Sequence, residues 1–190
     1  RVISLVRGQI VTEASTEKLA AREGELMADA GGGLLKLAVI ERHRGTGNVG
    51  LGFLRGFGPV HGALASTVAH DHHNLIVAGG DDIAMHTAID AVVTMGGGLV
   101  VAAGDEVLAR LPLPYAGLIS DRTLEETRAG LDEVTAAAHS IGCDHPDPMM
   151  ALSFVALEVI PSLKLTDLGL VDVGRFEVVP LAVGGSDAPS

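Results

Sequence analysis

The chain has 190 residues, enough for one domain with a real core or two small subdomains. Hydrophobic residues make up 47% and charged residues 19%, which excludes a disordered chain and suits a compact α/β protein. A net charge of −11 repels a phosphate backbone, and 3% aromatics with no Trp cannot build a base-stacking platform, so nucleic acid is excluded as a partner. Neither point bears on a neutral free base.

Cys143 is the single cysteine; it cannot form an internal disulfide and suits a reducing cytoplasm. No run is apolar enough for a membrane helix, and the first twenty residues lack a signal-like core. The chain begins with Arg1 in what reads as strand, which suggests a chain cut from something longer or processed.

In chain order, VISLV (2–6) and QIVT (9–12) read as short strands around Gly8. Residues 15–30, charged and Ala-rich behind Ser15 and Thr16, predict a helix, broken at Gly31–Gly33. LLKLAVIER (34–42) predicts a strand buried on both faces. The glycine-dense stretch 45–59 predicts a loop. LIVAGG (75–80) is a short strand. Asp81 or Asp82 caps a helix running to Met95, and Gly96–Gly98 stop it. The following strand at 99–104 would close one crossover, then pair with 106–113 as a hairpin across Gly104–Asp105. Thr123 and Glu126 form a capping box for a helix to Ile141. The apolar run 149–160 is core or interface. Thr166–Asp167 is a turn, 176–183 a strand, and GGSDAPS a frayed tail. The fold class predicted is α/β, with α+β as the variant.

The densest chemistry is HDHHN at 70–74. On an extended segment His70, His72 and Asn74 share one face, and Asp71 and His73 the other. His70 and His72 then make a possible metal pair, with Asp71 orienting an imidazole or acting as a base. A substrate clamp and a bonded polar core remain alternatives, although five polar residues in an apolar setting are costly to bury without use. Glu41-Arg42-His43 closes a strand, a position suited either to ligand contacts or to a solvated ion pair. Asp121, after two prolines, fits a rigid structural loop. Lys164, Asp167 and Asp172 serve structure as readily as chemistry. His139, Cys143 and His145 match no closed zinc spacing, and no Gly-rich segment has a phosphate-cradle pattern.

Four blocks, ERHRGTGNVGLGFLRGFG, HGALASTVAHDHHNLIVAGG, LPLPYAGLISD and LSFVALEVIPSLKLTDLGLVDV, in this order, resemble the C-terminal part of the bacterial adenine deaminases of the amidohydrolase superfamily. The likeness runs from about residue 34 to 183. It implies residues 1–33 as a junction, 34–183 as the C-terminal domain and 184–190 as a tail. It also implies an upstream (β/α) metal barrel that this chain does not contain, and an activity converting adenine and water to hypoxanthine and ammonia with manganese or iron held mainly by that barrel. The family pattern HD-x-HN maps onto His70, Asp71, His73 and Asn74 as catalytic residues and leaves His72 at the variable position. That weakens the metal pair. Glu41, Arg42, His43 and Asp121 become supporting or substrate-binding residues. Adenine, the barrel and further copies of the chain are the implied partners, in the cytoplasm, and the chain alone is expected to be inactive. Two alternatives stand beside this: a non-catalytic module with an interdomain hydrogen-bond network, and a self-contained metal hydrolase using His70, His72 and Asp71.

Overall fold

The computed structural model describes residues 1–183; the tail expected at 184–190 lies outside them. Thirteen strands and three helices follow in chain order. β1 (Val2–Leu5) and β2 (Thr12–Ser15) come first, then the short pair β3 (Ala21–Arg22) and β4 (Glu25–Leu26). β5 (Leu34–Ile40), β6 (Val49–Arg55), β7 (Ala63–Ser66) and β8 (Leu75–Gly79) precede α1 (Asp82–Thr94). β9 (Gly98–Ala103) and β10 (Glu106–Pro112) lead into α2 (Leu124–Ser140) and α3 (Pro148–Val155). β11 (Leu163–Thr166), β12 (Gly169–Asp172) and β13 (Glu177–Val179) close the series. The expected mixed α/β class holds, with sheet dominating.

Eight strands form one sheet in the order β10-β9-β7-β8-β5-β6-β1-β2. All its pairings are antiparallel except β1 with β6. β7 lies between β8 and β9 and is antiparallel to both, so the expected β8–α1–β9 crossover joins two parallel strands across it. Strand residues alternate between two cores. Ala63, Ala65, Val77, Val100 and Ala102 pack under α1 through Ala84, Ala88 and Val92. Leu37, Val39, Leu64, Ile76 and Val101 face the other way, onto Val134 and Ala138 of α2, Leu152 and Val155 of α3, and Leu165 and Leu170 of the second sheet. No helix is long and apolar enough to cross a membrane among the described residues.

Local signals explain the helices. Asp81 accepts from the Ala84 amide at 2.8 Å, as its cap position predicts. The Thr123–Glu126 capping box is complete in both directions.

Three expectations fail for physical reasons. The helix predicted over 15–30 does not form: Glu23 and Gly24 have φ of 51° and 87° and turn the chain between β3 and β4. Glu17 instead bonds the Arg55 guanidinium at 2.5 and 2.7 Å. The strand expected over 9–12 starts only at Thr12. The loop expected over 45–59 contains β6, because Gly50 and Gly52 are there for strand-to-strand approach and not for turning. A Cβ on Gly50 would lie 1.9 Å from the Thr166 carbonyl oxygen.

Lys164 is fully buried and no carboxylate among the described residues meets it; its ammonium donates to the carbonyls of Phe154 at 2.9 Å and Ile10 at 3.1 Å. Burial pushes its pKa down from 10.5 to about 8. The unfolded chain then binds the extra proton between those two values, so stability rises as pH climbs through the window from 8 to 10.5. Denaturant unfolding at pH 7.5 and pH 10 should show a gain of about 2 kcal/mol that Lys164→Met lacks. Equal pH dependence in both proteins would refute this reading of Lys164.

Candidate active site at one end of the sheet

Five connections meet at one end of the large sheet: 41–48, 67–74, 95–97, 113–123 and the turn between β11 and β12. All four sequence blocks quoted above therefore reach the same place, although they are separated by up to 120 residues.

The HDHHN segment is not extended. The His73 amide donates to the Ala69 carbonyl at 2.6 Å, closing a tight turn, and His73 sits at φ 50°. The alternating-face argument therefore does not apply here. His70 is half-buried, its ring 5.0 Å from Phe154 and edge-on to His73 at 5.7 Å. Asp71 is exposed, with no hydrogen bond among the described residues. His72 turns inward: its Nδ1 accepts from the Asn74 amide at 3.1 Å, which leaves the ring proton on Nε2. His73 Nδ1 lies 3.3 Å from the Ala69 amide and accepts from it. Burial, then the neighbouring His70 and Arg42, pushes the His73 pKa below its ordinary value, so its imidazole is neutral at pH 7 with the proton on Nε2.

Asn74 is buried, and its Nδ2 donates to Asp167 Oδ1 at 3.1 Å. Asp167 Oδ2 accepts from Asn48 at 3.2 Å. One carboxylate thus joins the turn, the β5–β6 loop and the β11–β12 hairpin. Sequence reasoning assigned Asn48 and Asp167 no site; their only signal was a polar residue in a glycine-rich loop and in a hairpin turn.

The strand-end triplet divides. Arg42 spans two loops, with Nε donating to the His73 carbonyl at 2.6 Å and Nη2 to the Ala116 carbonyl at 2.7 Å. Burial lowers its pKa, and it remains a cation. Glu41 is used by its own loop: it accepts from the amides of His43, Arg44 and Thr46, which hold its pKa down to about 2. His43 is exposed and its Nε2 meets the His72 carbonyl at 2.7 Å. Thr67, absent from the sequence-based set, accepts from the Gly98 amide at 2.8 Å and donates to the Gly117 carbonyl at 2.6 Å. Gly117 has φ of 73°, and a Cβ there would meet Thr67 Oγ1 at 2.8 Å, so this close approach requires glycine. Asp121 is exposed and has no hydrogen bond to this group among the described residues.

Among the described residues no group of three or more His, Cys, Asp or Glu side chains is placed to hold a metal ion. His72 spends its Nδ1 on the Asn74 amide and its Nε2 is buried without a partner among the described residues, and no third ligand joins the His70–His72 pair there. These residues do not fit manganese or iron.

A family model for the adenine deaminase C-terminal domain matches residues 9–177. This chain belongs to that family. The C-terminal domain is 53% identical to an adenine deaminase of Desulfatibacillum aliphaticivorans, 56% to one of Oleidesulfovibrio alaskensis and 49% to one of Methanothrix thermoacetophila, each over 181 residues. Each alignment covers 95% of this chain and 32% of the relative. The adenine deaminase C-terminal domain thus spans about a third of the length of the curated relatives it matches. Its match begins within the first 33 residues, and β1 and β2 from that stretch belong to the same sheet as the rest.

Proposed function

We propose that this domain serves an adenine deaminase, converting adenine and water to hypoxanthine and ammonia, and that its 70–74 turn faces the purine. The metal chemistry, with manganese or iron, belongs in this reading to a (β/α) barrel outside the chain, within a cytoplasmic homo-oligomer. The observation that carries the proposal is the convergence of the four family-like blocks on one turn, braced by a single cation, Arg42.

The turn's groups suit a neutral purine. His73 Nε2–H has no protein partner among the described residues and donates to a ring nitrogen. The Asp71 carboxylate, solvent-facing and without a hydrogen bond among the described residues, takes a proton from the attacking water and passes it to the departing amine. His70 packs edge-on against His73 and fixes its plane. Asn74 is tied inward to Asp167, so it positions the turn and does not touch substrate. The chain alone, without the rest of the enzyme, turns over no adenine.

The internal network of Asn48, Asp167 and Asn74, with Glu41 spent on its own loop, favours a second reading, a module whose polar residues serve only structure. Asp71→Asn separates the two, because an exposed unbonded carboxylate contributes little to stability, within about 0.5 kcal/mol. In the full-length enzyme it should lower kcat for adenine about 100-fold at unchanged metal content. Parental kcat would leave only the module reading. Adenine turnover by the purified 190-residue chain with added Mn²⁺, run as the baseline, would contradict the division of labour.

A further inference from the structure

The α1 side of the large sheet is only half covered. α1 lies over β7, β8 and β9 and reaches Ala38 of β5, and leaves Val49 and Leu51 of β6 exposed on that face. Ala38 packs under α1, and its cross-strand partner Leu51, on the same face, is 61% exposed. Val49, opposite Ile40, is also exposed, and so is Val93 on the helix, at 68%. Two grooves lie on this face, each touching β5. One, of about 440 Å³, is lined by Leu26, Leu51, Phe53 and Met85. The other, of about 270 Å³, is lined by Ile40, Ile89 and Val93 and reaches Arg42 and Glu41 at the candidate site. Contiguous exposed aliphatic side chains of this extent mark an interaction surface.

We propose that this face is where the remaining part of the adenine deaminase polypeptide packs. Three observations select that occupant. The relatives carry about two thirds of their length outside the matched region. The family is a C-terminal domain, so that length joins ahead of β1. The Arg1 amine donates to the Leu181 carbonyl at 2.7 Å, and Leu181 lines the first groove, so a preceding segment arrives at the edge of the patch. The second groove ends at Arg42, whose Nε holds the His73 carbonyl at the end of the sheet. Such an interface is a hydrophobic one, with the Lys36–Asp82 ion pair at 2.7 Å on its wall.

The inference rests on family membership and is independent of the roles proposed for the turn. It is tested by thiol labelling of the full-length enzyme carrying Leu51→Cys or Val93→Cys, with Glu133→Cys on the exposed side of α2 as reference; native Cys143 is buried. The two thiols should react with a maleimide about tenfold more slowly than the reference, at every protein concentration. Labelling at the reference rate would overturn the proposal. Protection that disappears when the enzyme is diluted to monomers would also overturn it, by assigning the face to a second copy.

Discussion

Replacing His73 with alanine in the full-length enzyme should lower kcat for adenine about 1,000-fold, the upper part of the range for a positioned proton-transfer or hydrogen-bonding group. The substitution removes the Nε2–H donor and also strips the Ala69 amide of its acceptor, a structural loss of about 1 kcal/mol. His73→Asn separates these effects. Asparagine tolerates the φ of 50° at this position, and its Oδ1 can accept the Ala69 amide. Stability should return while kcat stays low. If kcat returns together with stability, His73 is structural. The pH profile adds a second check. His73 has a lowered pKa, so the folded state keeps it neutral and takes up its proton only below 6.5. Protonation at Nδ1 takes away the acceptor that ties the ring to the Ala69 amide, so the parent enzyme should lose kcat/KM on an acid limb below 6.5, and both variants should lack that limb.

Gly50→Ala should be strongly damaging for so small a substitution. The added methyl would sit 1.9 Å from the Thr166 carbonyl oxygen and 3.2 Å from the Gly169 nitrogen, where both obstacles are backbone and neither can rotate aside. Separating β11–β12 from β6 far enough to admit it costs about 3 kcal/mol. The same movement carries Asp167 away from Asn48 and Asn74. The variant should therefore lose both stability, read as a lowered denaturation midpoint, and the order of the 70–74 turn. Parental stability would show that β6 does not need the close approach.

Strong local chemistry was legible in the sequence. The α2 capping box, the Asp81 cap, the glycine stop after α1 and the Thr166–Asp167 turn need only neighbours within four residues, and each holds in the structure. What failed depended on distant partners. Residues 15–30 have helix-compatible composition, yet Glu17 is drawn to Arg55, and only the tertiary fold supplies Arg55. β7 has no sequence signal because Ala63–Ser66 is only four residues, three of them small, buried on both faces with no alternation to reveal it. The 70–74 site was legible as composition and not as geometry. Histidine density marks it as a candidate, but the Ala69–His73 turn removes the assumed alternation, and the brace from Asp167 comes from 93 residues further along. Arg42 was found at its strand end; Glu41 beside it, equally conspicuous, is spent on its own loop.

The contacts around β2 bear on how the domain is made in a cell. Thr12 exchanges backbone hydrogen bonds with Pro161 and Ser162, its hydroxyl donates to the Leu163 carbonyl at 2.7 Å, and Lys164 reaches back to Ile10. These pairings span about 150 residues, so a ribosome extending the chain must emit nearly the whole domain before its first strands can be locked. During that interval of several seconds the β1–β2 edge is a sticky, unsatisfied ribbon. A premature stop anywhere before Leu163 should therefore yield an aggregation-prone product and not a smaller folded one.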